Sequence, residues 1–173
     1  MKRILYPFIL IFLIVLSGSC KKIEQLPATP HIEFKSFTIF DTTDILGNIA
    51  KGGRLKFYFE DGDGDLGLKD PSDIQLDTTN LFFTLFRKEN GIMVEAPDND
   101  PLKPSSYRIP YLEKLGQNKI LTGNISITFL YLFYTTADTI RYDFYIKDRA
   151  ENVSNTESTC DIIVSENGVY TKN

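Results

Sequence analysis

The sequence predicts an all-β domain in which about seven to nine short strands form two antiparallel sheets packed face to face. Three observations predict it. Apolar residues recur at every second position in one segment after another between His31 and Ser165. Gly, Asn, Asp and Pro fill the intervals, as turns between strands require. No segment keeps a helical period for three turns, and strands without helices bury their apolar faces against a second sheet.

The first residues stand outside that domain. Lys2 and Arg3 precede an apolar run from Ile4 to Leu16, followed by "LSGSC" ending at Cys20. Basic, apolar and then small residues form the layout of a secretory leader. The run is shorter than the roughly 20 residues that span a bilayer. Its end resembles a bacterial lipobox, which implies that residues 1–19 are a lipoprotein signal peptide and that Cys20 receives lipid. Ser17 stands where the lipobox has leucine, and cleavage by an ordinary signal peptidase after Ser19 is the competing reading. Residues 20–30, "CKKIEQLPATP", carry two prolines and no period, and read as a tether. The folded domain is expected over residues 31–173.

"HIEFKSFTIF" alternates Ile32 and Phe34, then Phe37 and Ile39, so a bulge is expected near Ser36. "GGRLKFYFE" puts Leu55, Phe57 and Phe59 on one face. "NLFFTLFRKENGIMVEA" reads as a hairpin turning at Asn90-Gly91, a pair suited to positive φ. Pro110 breaks "SYRIPYLE" into an edge or irregular segment, and "PYLEKLGQ" allows one helical turn near Glu113 to Leu115. "GNISITFLYLFY" alternates Ile125, Ile127, Phe129, Tyr131 and Phe133. Leu130 and Leu132 lie on its other face, so cover on both faces is expected. "TIRYDFYIKD" turns Ile140, Tyr142, Phe144 and Ile146 inward. "STCDIIVS" is expected to close the chain.

Composition narrows the function classes. Lys and Arg number 19 against 23 Asp and Glu, a formal charge of −4. Losing the leader would remove Lys2 and Arg3 and make the charge more negative. No basic face suited to nucleic acid is evident, and attachment to a membrane would fall to lipid on Cys20. Only Cys20 and Cys160 exist. An acylated Cys20 leaves Cys160 a small apolar residue beside a late strand, whereas a free Cys20 allows a bridge between the two.

The stretch richest in chemistry is "FEDGDGDLGLKD", residues 59–70. Glu60, Asp61, Asp63, Asp65, Asp70 and Asp73 place six carboxylates within 14 residues, with Lys69 the lone base. Calcium takes six to eight hard oxygen ligands, and aspartates at alternate positions can turn toward one centre. Gly62, Gly64 and Gly67 permit a tight path. An EF-hand is excluded, because its sixth and twelfth places would hold Leu66 and Ser72. The expected site has Asp61, Asp63 and Asp65 as ligands, with Asp70 or Asp73 closing the shell. No His or Cys invites a transition metal. The competing reading is a solvated acidic turn, against which Leu66 and Leu68 suggest a loop folded back on the body.

Other candidates are thinner. His31, the only histidine, has no nucleophile motif around it. Loop carboxylates could hydrolyse glycosides, but the chain has no Trp to offer a sugar platform. Tyr107, Tyr111, Tyr131 and Tyr134 could line a glycan surface, or belong to sheet and core.

The C-terminal "YDFYIKDRAENVSNTESTCDIIV" resembles the last hairpin of bacterial immunoglobulin-like domains. Asp148, Ala150, Asn152 and Ser154 match that pattern, and Glu151 replaces its glycine. Together with the Phe59 to Gly67 loop, it makes residues 31–166 similar to small envelope lipoproteins of the Bacteroidota. The resemblance implies an immunoglobulin-like sandwich in the cell envelope, with an outer-membrane location, and no particular activity. "DTT" at 41–43 and 77–79 and "DTI" at 138–140 resemble O-glycosylation sites of such proteins, which would make Thr42, Thr78 and Thr139 acceptors. The expectation is therefore a lipid-anchored, non-enzymatic binding or assembly module with a structural calcium loop. A glycan-binding accessory module of an uptake system is the alternative, and a hydrolase using loop carboxylates comes third.

Overall fold

The computed structural model describes residues 26–69, 79–112 and 119–172. Among these described residues nine strands follow in order: β1 (His31–Thr43), β2 (Ile49–Asp61), β3 (Leu81–Glu89), β4 (Ile92–Glu95), β5 (Leu121–Tyr131), β6 (Thr139–Ile146), β7 (Glu157–Ser158), β8 (Ile162–Ile163) and β9 (Gly168–Tyr170). One sheet runs β5-β2-β1-β9. The other runs β4-β3-β6-β7, with β8 also paired to β6. Every strand pairing is antiparallel. The two sheets pack as an immunoglobulin-like β-sandwich, the architecture the alternation predicts.

The alternation works because each strand presents one apolar face. On β2, Leu55, Phe57 and Phe59 are buried, and on β6 so are Ile140, Tyr142, Phe144 and Ile146. Rings from the two sheets meet in the middle: Phe57 lies 5.2 Å from Phe144, and Phe83 meets Phe129 edge-on at 5.5 Å. Such offset and edge contacts suit the ring quadrupole. The phase break in β1 is a register shift between Phe34 and Ser36. The β3–β4 turn carries Asn90 and Gly91 at φ 49° and 85°, the pair of positive values that a two-residue hairpin needs.

Two expectations are corrected. β5 is an edge strand, and Leu130 and Leu132 are about half exposed rather than covered. "STCDIIVS" does not close the chain. Its residues divide between β7 and β8, and β9 follows to pair with β1. The last residues before β1 lie against the body. Pro30 is buried, and Gly62 N–H donates to the Pro27 carbonyl at 2.9 Å. The helical turn expected at Glu113 to Leu115 lies outside the described residues.

The core also holds a polar thread. Tyr142 donates to the Leu102 carbonyl at 2.7 Å, and its hydroxyl lies 3.0 Å from that of Tyr131. Burial raises both phenol pKa values. Arg87 joins the Asp100 carboxylate at 2.5 Å to Asp138 at 2.6 Å, tying the loop after β4 to the start of β6.

Candidate metal centre

The aspartate loop begins on the inner face of β2. Alternation along that strand turns Asp61 inward, two places after Phe59, and Asp61 is fully buried. Its Oδ2 accepts the Leu66 N–H at 2.7 Å, which curls the loop back on itself. Leu66 and Leu68 then plug into the body, at 1% and 6% exposure. Arg149 donates to the Gly67 carbonyl at 2.7 Å, and Arg108 donates to the carbonyls of Leu68 and Lys69. Gly64 and Gly67 adopt φ of 71° and 96°. A Cβ at Gly64 would sit 1.8 Å from the Lys119 carbonyl oxygen, so only glycine lets that backbone come so close.

This path brings one carboxylate oxygen each from Asp61, Asp63 and Asp65 within 4.8 Å of one another. In all three, Oδ1 is shut off from solvent and has no hydrogen-bond partner. Buried carboxylate oxygens are normally satisfied. Three like charges at that spacing repel by about 3 kcal/mol per pair, at an effective dielectric constant of about 20. Burial, reinforced by the neighbouring carboxylates of Asp63 and Asp65, pushes the Asp61 pKa up to about 6. Burial also raises that of Asp65, with Asp148 and Asp63 adding to it. The centre therefore has two ways to relieve its charge: it can take up a proton or a cation.

Asp148 is the contributor that the loop's own sequence does not announce. The turn after β6 lies against the loop: Arg149 N–H reaches the Asp65 carbonyl at 3.4 Å, and the charges of Asp148 and Arg149 act on the Asp65 carboxyl. Asp148 is buried, and both of its carboxylate oxygens are held at 2.8 Å by Asn152, one by the backbone N–H and one by the side-chain amide. It adds a fourth negative charge beside the cluster without spending an oxygen on it. Glu151 adopts a left-handed backbone, at φ 69°. The sequence carries Asp148 in its "DRAEN" motif, but nothing in the chain order says that it meets "DGDGD".

Of the expected ligands, Asp61, Asp63 and Asp65 come together, whereas Asp70 and Asp73 lie outside the described residues. So do Cys20 and Thr78. Thr42 in β1 and Thr139 at the start of β6 are half-buried, and Asp138 before Thr139 is engaged by Arg87. His31 is exposed at the start of β1. Cys160 is half-buried, and burial pushes its thiol pKa up. The four tyrosines do not form an exposed strip. Tyr131 is core, Tyr107 and Tyr134 pack against it, and Tyr111 sits under the cations of Lys69 and Arg149 at 5.1 and 4.9 Å. Comparison with family models, curated proteins and solved structures gives no match.

Proposed function

We propose that this chain is a lipid-anchored cell-envelope β-sandwich that serves as a non-enzymatic binding or assembly module, and that its aspartate loop holds a structural calcium ion. The observation that carries the calcium reading is the trio of buried, unpartnered Oδ1 atoms on Asp61, Asp63 and Asp65. The donor set is hard oxygen alone, which suits calcium and disfavours softer metals. Asp61, Asp63 and Asp65 would hold the ion, with Asp70 or Asp73 available from the following segment. The ion would supply positive charge to a centre that otherwise repels itself. The anchor and the compartment rest on the leader ending at Cys20 and on the resemblance to envelope lipoproteins.

The module reading is favoured over the alternatives by where the groups sit. Of the two carboxyls with raised pKa values, Asp61 is turned into the protein and Asp65 is half-buried. The cavity beside the loop, about 370 Å³, is lined by residues such as Leu26, His31, Glu60 and Asn155 instead. A glycan platform would need exposed rings, and the tyrosines nominated for it are mainly packed inward.

Thermal unfolding in EDTA, then in millimolar calcium or magnesium, tests the reading. An ion at 100 times its Kd adds about 2.7 kcal/mol, several degrees in a domain of this size. The expected rise is with calcium and is lost in Asp63→Ala. No rise with calcium would make the loop an acidic turn.

A further inference from the structure

We infer that the cation centre is also the latch that fixes the tether to the sandwich, so that cation occupancy sets how far the domain stands from its N-terminal attachment. The inference rests on the calcium reading and extends it. Gly62 lies between two of the proposed ligands, Asp61 and Asp63. Its N–H is the group that holds the Pro27 carbonyl. A Cβ at position 62 would lie 2.2 Å from the Leu26 carbonyl oxygen and 2.4 Å from that of Pro27. The tether backbone is therefore laid directly on the ligand loop, with no side chain between them.

The remainder of this segment forms an arch. At its other end, buried Pro30 leads into β1, and Asn155 clasps Ile32 through both backbone groups, at 2.8 and 2.9 Å. Between these fixed points the chain borders an open pocket of about 370 Å³, shared with Glu60 and Asn155. Pro27, Ala28 and Thr29 are exposed between the two ends, so the segment depends on its end anchors and belongs among the parts of a fold that open first. One anchor is Asn155. The other is a loop whose carboxylates repel until a cation joins them. Without the cation, relaxation of Asp61 and Asp63 moves the Gly62 N–H that they flank, and Leu26 to Pro30 come free. Five released residues lengthen the reach of the tether by at most about 17 Å.

Amide hydrogen exchange on the purified chain, in EDTA and in calcium, tests the latch, with calorimetry reporting calcium binding on the same samples. Calcium is expected to slow exchange of the segment 26–32 and of Gly62 by about tenfold or more, while the β6 core changes far less. Asp63→Asn, which removes a ligand and one of the repelling charges together, is expected to abolish the difference between the two buffers. Calcium heat with equal exchange at 26–32 in both buffers would overturn the latch and leave the calcium site standing. Equal slowing of the segment and of β6 would also overturn it, since that is global stabilisation alone. Absence of calcium heat would overturn both readings.

Discussion

Replacing Asp61 with asparagine should change the sign of its effect on stability with the cation. Asparagine keeps an oxygen to accept the Leu66 N–H but carries no charge. In the metal-free protein Asp61 titrates near 6, against about 3.9 in an unfolded chain. The folded-state pKa is the higher one, so the native state holds its proton more tightly. That contribution is complete below about pH 4 and is lost as pH rises through 6. Two units correspond to at most about 3 kcal/mol, and solvent at the loop's rim screens part of it, leaving about 1–2 kcal/mol. Carboxylates with lowered pKa values, among them Asp41, Asp44, Asp98 and Asp100, lose stability only below about pH 4, so the two windows separate. Urea unfolding from pH 4 to 7.5 provides the assay. In EDTA, Asp61→Asn should match the parent near pH 4 and exceed it by about 1–2 kcal/mol at pH 7.5. In saturating calcium at pH 7.5 it should fall below the parent, because a ligand is gone. A variant less stable than the parent in EDTA at pH 7.5 would refute the claim that the centre is electrostatically strained.

Other consequences are simpler to read. Glu151→Gly should stabilise the domain by about 0.5–1 kcal/mol in urea unfolding, because φ 69° suits glycine and the exposed Lys147–Glu151 pair that it removes is worth little. Tyr142→Phe should cost about 1–3 kcal/mol by the same assay, since it strands the Leu102 carbonyl and the Tyr131 hydroxyl in the core. Cys20→Ala should move the protein from the membrane fraction to the soluble one without changing its melting temperature. Retention in the membrane fraction would count against lipid on that residue.

Strands were legible in this sequence where one face is packed and one is wet. Ile140, Tyr142, Phe144 and Ile146 print their burial as strict alternation, and the phase slip at Ser36 prints the bulge. β9 was not legible, because three residues carry no period and their strand identity comes from pairing with Phe37 to Ile39. Leu130 and Leu132 misled for a related reason. An apolar face on an edge strand reads the same whether or not something covers it. The candidate site divides along the same line. Side-chain donors are written in the sequence, so Asp61, Asp63 and Asp65 could be named from their spacing. Asp148 could be seen but not placed, since 83 residues separate it from Asp65 and only the pairing of β6 into the second sheet brings the two turns together. The tether's hold is harder still, because the groups on both sides are backbone atoms, and any residue has those. What marks the contact in the sequence is the missing side chain at Gly62. That glycine serves a close approach between two backbones, although its φ is not among the positive ones. A glycine between two aspartates invites a reading in terms of loop flexibility, whereas here it makes room for the segment before β1.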